Sequence, residues 1–142
     1  MLVDLPGYGY AKAGKEEIAR WNKLIEDYLR GRSNLRRVCL LIDARRGIGA
    51  PDRKVMELLD KAAVVYQIIL TKVDKEKAGA LAKIQATAAL EVGRHGAAYP
   101  DIMVTSSAKK TGLAEVRAAC AALAETTSAE TTSAETNVTE EQ

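Results

Sequence analysis

Two short apolar runs set the terms on which this chain folds. Val38-Cys-Leu-Leu-Ile42 is apolar without interruption and stops at Asp43, and Val64-Val-Tyr-Gln-Ile-Ile-Leu70 is nearly so and stops at Thr71. A strand with one wet face alternates apolar and polar residues, whereas runs like these suit strands buried on both faces of a parallel sheet. Helical spacing fills the gaps between them. Pro51 opens a helix bearing Val55, Met56, Leu58 and Leu59, since the fixed φ of proline is already helical at the first turn. An Ala-rich helix is expected over residues 75–92, closed by Gly93. Leu2-Val-Asp-Leu5 reads as a further strand broken by Pro6-Gly7. Residues 16–30 place Ile18, Trp21, Leu24, Ile25, Tyr28 and Leu29 on one helix face. Ile102-Met-Val104 is a short strand, and Leu113, Val116, Cys120 and Leu123 form the buried stripe of a last helix. Four strand–helix repeats predict an α/β fold, a mostly parallel sheet with helices on both faces, whose ligands gather at the carboxyl ends of the strands.

The 142 residues suffice for one domain. No apolar run reaches the ~18 residues a membrane span requires, and no signal-peptide pattern opens the chain, so a cytoplasmic setting is expected. Cys39 and Cys120 lie in apolar runs and are expected as reduced, buried thiols. His95, between Gly93 and Gly96, is expected as an exposed loop residue. Charge is unevenly divided. All 21 basic residues precede Glu125, facing 14 acids there, while from Glu125 onward there are five glutamates and no base. The stretch 125–142 repeats Ala-Glu-Thr-Thr-Ser, offers no large apolar residue to offset ordering entropy, and is expected to be a disordered acidic tail. The clusters Arg30-Arg32-Arg36-Arg37 and Arg45-Arg46-Arg53-Lys54 fit either an RNA-facing surface or a merely solvated one.

Three strand ends carry distinctive chemistry. Asp4-Leu5-Pro6-Gly7 places a carboxylate where a hydrated magnesium ion can sit and a glycine whose N–H can approach a phosphate oxygen. Thr71-Lys72-Val73-Asp74 offers a carboxylate able to accept two parallel hydrogen bonds, from N1–H and the exocyclic amine of guanine. Adenine would leave that carboxylate unpaired, a mismatch such sites reject by about 10⁴-fold or more. Lys72 can lay its stem across the base. In Ser106-Ser107-Ala108-Lys109-Lys110, the N–H of Ala108 can reach the guanine O6. The last two loops also have plainer explanations: Asp74 as the acidic start of a helix, and the serines as a cap on the last one.

Taken in order, Asp4-Leu-Pro-Gly-Tyr-Gly-Tyr-Ala-Lys12, Leu41-Ile-Asp-Ala-Arg45, Leu70-Thr-Lys-Val-Asp-Lys75 and Ser106-Ser107 before Lys109-Lys110 resemble the EngB family of bacterial GTP-binding proteins. The resemblance covers nearly all of residues 2–124 and excludes the tail. It implies a partial P-loop GTPase (G domain) fold missing its first strands, with GTP or GDP and magnesium as cofactors. Asp4 would contact magnesium through water, and Gly7 would sense the γ-phosphate. Thr71, Lys72, Val73, Asp74, Ser106, Ser107 and Ala108 would read guanine. Family members are associated with assembly of the large ribosomal subunit and with cell division, which implies ribosomal RNA or that subunit as partner. Tyr8 stands where many GTPases place a water-orienting glutamine, so intrinsic hydrolysis should be slow. Residues 8–15 would change order with nucleotide state.

The family's phosphate loop, Gly-x-x-x-x-Gly-Lys-Ser/Thr, precedes the Asp-x-x-Gly strand by several dozen residues, whereas Asp4 is the fourth residue here. Gly9-Tyr-Ala-Lys-Ala-Gly14-Lys15 imitates that loop but continues with Glu16, whose carboxylate would repel phosphate. Residues 1–124 therefore read as a truncated G domain. Removing the phosphate-loop strand would leave its two neighbours about 10 Å apart, so marginal stability or aggregation is expected. Losing two or three charge-assisted phosphate bonds would cost about 4–7 kcal/mol, or roughly three to five decades of affinity. Two other readings stand beside this one: a binding module that keeps only the partner surface, and an unrelated flavodoxin-like domain.

Overall fold

The computed structural model describes residues 2–5, 7, 8, 19, 22, 23, 26, 27 and 35–136, with backbone alone described over 125–136. Strand β1 (Val38–Asp43), helix α1 (Ala50–Lys61), strand β2 (Tyr66–Thr71), helix α2 (Ala78–Val92), strand β3 (Met103–Val104) and helix α3 (Leu113–Thr136) follow one another. The sheet order is β1-β2-β3 and both pairings are parallel. The α/β alternation expected from the apolar runs is therefore the architecture observed.

Register decides which side chains meet. Leu40 lies beside Ile68 and Ile42 beside Leu70, and since strand side chains alternate, all four share a face. Val55, Met56 and Leu59 of α1 and Val92 of α2 close over that face to form the core. Each fully buried aliphatic there contributes ~1.5–3 kcal/mol. The opposite face is less complete. Leu41 is 61% exposed and Cys39 is exposed, which corrects the expectation of a buried thiol; both cysteines are free, as expected. The reason is position in the sheet. β2 has neighbours on both sides and is buried from Tyr66 to Leu70, whereas the outer edge of β1 has no strand partner among the described residues. Gln67, inside β2, keeps its amide satisfied by accepting from Arg37 Nη1 at 2.8 Å and donating to the Asp101 carbonyl at 3.0 Å.

The strand expected at Leu2-Val-Asp-Leu5 does not form; these residues are coil, with Leu2 and Val3 exposed. A strand needs a ladder to satisfy its peptide groups, and this segment pairs with none of the described strands. Of the helix expected over 16–30, Ala19, Asn22, Lys23, Glu26 and Asp27 are helical and the apolar face lies outside the described residues. α2 begins at Ala78 because Val73–Lys75 first makes a 3₁₀ turn. Gly93 ends α2 in a right-handed conformation (φ −62°), without the left-handed turn expected of a closing glycine. The apolar stripe of α3 is half-buried throughout.

One expectation changes more substantially. His95 is an anchor: its side chain is only 12% exposed, and Nδ1 lies 2.6 Å from Asp60 Oδ2. Asp60 Oδ1 accepts the Ala97 N–H at 2.9 Å, so one carboxylate ties the end of α1 to the loop after α2. Helix backbone continues from α3 into the acidic repeat as far as Thr136. Alanine and glutamate are strong helix formers even without an apolar face. Residues 137–142 lie outside the described residues.

Candidate functional site

All three strands end on the same side of the sheet, and their loops are stitched together there. The Ala44 N–H donates to the Thr71 carbonyl at 2.9 Å, and Thr105 N–H to the Leu70 carbonyl at 2.8 Å. Val73 N–H then donates to the Thr105 carbonyl at 3.2 Å. Thr71 itself caps the gap to β1, its hydroxyl 3.3 Å from the Ile42 carbonyl.

These tethers bring Asp74 to Ser106. The Ser106 hydroxyl donates to Asp74 Oδ1 at 2.5 Å and accepts the Lys109 N–H at 3.1 Å. Ser106 is buried, and the Asp74 side chain is only 9% exposed, with Lys75 Nζ 3.7 Å from Oδ2. The Ser106 hydrogen bond, opposed by partial desolvation and helped by Lys75, holds the Asp74 carboxyl below its ordinary range. An ionised carboxylate is an acceptor only, so the atoms Asp74 has left over are suited to an N–H-bearing edge.

The serine loop is pinched shut. Ser106 and Thr111 exchange backbone hydrogen bonds of 3.0 and 3.1 Å. Lys110 and Gly112 take positive φ, 57° and 71°. A Cβ at Gly112 would lie 1.9 Å from the Val104 carbonyl oxygen, so only glycine permits this closure. Ser107 and Ala108 are exposed at the turn.

Asp43, at the end of β1, figured in the sequence as a strand terminus and within the Leu41–Arg45 segment, with no role of its own. Arg45 holds it with Nε at 2.9 Å, Nη2 at 2.6 Å and its own N–H at 3.1 Å. Lys72 Nζ reaches the same carboxylate at 3.0 Å. Arg45, then Lys72, drive the Asp43 carboxyl far below the usual range. Lys72 is also left-handed (φ 58°, ψ 32°), a conformation unusual for a long side chain.

The first loop stands apart. Asp4 and Gly7 are exposed, Leu5 packs against the core, and Pro6 lies outside the described residues. Tyr8 docks at the start of α1, where burial and then the Asp52 carboxylate push its phenol up. Asp52 is itself fully buried, accepting the Gly49 N–H at 2.7 Å and Arg46 Nη2 at 3.2 Å. The imitation phosphate loop at Gly9–Lys15 lies outside the described residues. The basic clusters are more engaged than their sequence suggests. Arg37 stacks 3.8 Å over the Tyr99 ring, and Arg45, Arg46 and Arg53 pair with Asp43, Asp52 and Glu91. Arg30 and Arg32 lie outside the described residues.

Parallel strands whose terminal loops converge in this order have the fold of a partial G domain. Translation elongation factor SelB from Methanococcus maripaludis, in its apo form, superposes with a TM-score of 0.65 at 16% identity, covering 87% of this chain and 25% of its own. The same factor in complex with the GTP analogue GppNHp gives 0.60 at 15% identity, over 73% of this chain and 23% of its own. Those matches establish the fold. Sequence establishes the family: the probable GTP-binding protein EngB of Rhodospirillum rubrum is 56% identical over 124 residues, 87% of this chain and 54% of that protein. The probable GTP-binding protein EngB of Rhizobium johnstonii is 54% identical over 120 residues, 84% of this chain and 55% of its own. This chain belongs to the EngB family. It spans about half the length of the curated relatives it matches, and no family model matches it.

Proposed function

We propose that this chain carries the guanine-reading part of an EngB-type GTP-binding protein. One observation supports the reading above the others: an ionised, nearly buried Asp74 is fixed by Ser106 on the neighbouring loop, 32 residues away. Asp74 accepts the N1–H and amine of guanine, and the N–H of Ala108, which carries no hydrogen bond among the described residues, donates to O6. Thr71 and Val73 hold the loop, Lys72 covers the base, and Ser107 shapes the turn. GTP and GDP share that base, so both are ligands.

Toward the phosphates the chain contributes Asp4 and Gly7. Asp4 is a hard oxygen donor suited to magnesium through water, but the described residues hold no group of three candidate metal ligands. Asp4 would share such an ion with the phosphates of a bound nucleotide. Hydrolysis is a property of the complete family member and should be slow, because Tyr8 cannot orient water as an amide does. No helix among the described residues is long and apolar enough to cross a membrane, in keeping with a cytoplasmic protein. Large-subunit ribosomal RNA is the proposed partner, facing the groove of about 250 Å³ lined by Arg45, Arg46, Arg53 and Lys83.

Titration of the isotopically labelled chain with GDP and ADP, followed at the amides of residues 71–74 and 106–108, tests the base reading. GDP should shift these amides at concentrations where ADP does not, with weak affinity, and Asp74→Ala should erase the difference. Equal responses to both nucleotides would refute it.

A further inference from the structure

Lys72 combines two features that call for a joint explanation. Its backbone is left-handed, which disfavours long side chains, and strain of this kind points toward function when neighbouring structure enforces it. Its ammonium is also tethered, 3.0 Å from Asp43 Oδ2. We infer that Asp43 is a positioning residue for the purine: it holds Lys72 at its far end, so that the aliphatic stem is stretched in advance as a cover for the base. The inference rests on the guanine-reading role of Asp74 proposed above.

The physical case lies in the stiffness of the anchor. A free lysine stem has four rotatable bonds and loses much entropy when it is ordered against a ligand. Here both ends are fixed before any ligand arrives, the near end by the left-handed backbone and the far end by Asp43. Asp43 does not swing, because Arg45 grips both its oxygens and Ala44 ties its strand to Thr71. The Lys72–Asp43 pair is half-exposed, the lysine side chain at 57%. Exposed pairs add little to stability, so the benefit falls on binding, where a pre-ordered cover lowers the entropic cost. Since stacking favours every purine alike, this cover raises affinity without choosing between bases. Choice stays with Asp74.

The test uses the full chain with Asp43→Asn, Lys72→Met and the double variant, in two measurements. Without ligand, NMR of the lysine ammonium and methylene groups should report an ordered Lys72 side chain that becomes mobile in Asp43→Asn. With ligand, Asp43→Asn should weaken GDP and ADP alike by about three- to ten-fold, leaving their ratio unchanged. The double variant should bind no worse than Lys72→Met. A Lys72 side chain equally ordered in both ligand-free proteins would overturn the inference. So would additive losses in the double variant, or a collapse of the GDP/ADP ratio, which would mean that Asp43 merely holds the loops together. A wild-type chain unable to tell GDP from ADP would instead defeat the guanine reading, and the ligand-free measurement would still decide whether Asp43 orders Lys72.

Discussion

The Ser106 hydroxyl donates to the Asp74 carboxylate at 2.5 Å, joining two loops that leave adjacent parallel strands. Hydrogen bonds to charged groups are worth ~1.5–3 kcal/mol, and this one also fixes the carboxylate's direction. Ser106→Ala should destabilise the chain by about 1–3 kcal/mol and return the Asp74 carboxyl toward its ordinary pKa. Urea unfolding checks the first effect, and a carbon-detected titration of the Asp74 carboxyl checks the second.

Backbone handedness sets two substitutions against each other. Gly112→Ala places a methyl on the Val104 carbonyl at a positive φ and should cost more than about 3 kcal/mol. Ala63, just beyond α1, sits at φ 53°, where glycine is the natural helix terminator. Ala63→Gly should gain about 0.5–1 kcal/mol, the left-handed penalty for alanine exceeding the extra chain entropy of glycine. Thermal melts of the two variants should move in opposite directions.

Stability should form a plateau in pH with two falling edges. Asp43, Asp74 and Glu91 are all lowered, chiefly by Arg45, Ser106 and Arg53 respectively. Below their unfolded value of about 4, the unfolded chain takes up protons that the folded chain refuses, so stability falls as pH drops. Burial raises the Tyr8 and Tyr66 phenols, so stability should fall again as pH climbs past about 10. Urea midpoints from pH 3 to 11 check both edges, and Asp43→Asn should flatten the acid one.

The bare side of β1 makes its own prediction. Leu41 stands 61% exposed on a strand whose outer edge has no partner among the described residues, an arrangement that invites edge-to-edge association. Leu41→Lys should change stability by no more than about 0.5 kcal/mol while raising the concentration at which light scattering detects aggregates.

Much of this protein was settled by local pattern. The apolar runs at Val38 and Val64, the second broken only by Gln67, pointed to strands of a parallel sheet, and the spacing between them to helices. Strand ends then had to place Asp74 and Ser106 on one side, because parallel strands bring successive loops to a common edge. What the chain's local preferences could not decide is who stands next to whom. Leu2-Val-Asp-Leu5 has strand-forming residues but stays coil for want of a neighbour, and Cys39 is apolar in context yet exposed because β1 is an edge. His95 looked like a loop residue between two glycines until Asp60, 35 positions earlier, came within 2.6 Å. Asp43 was legible as the end of a strand, but not as the carboxylate on which Arg45 and Lys72 converge. Periodicity is written between near neighbours in sequence, whereas pairing, burial and ion contacts depend on residues dozens of positions apart, which only the folded chain brings together.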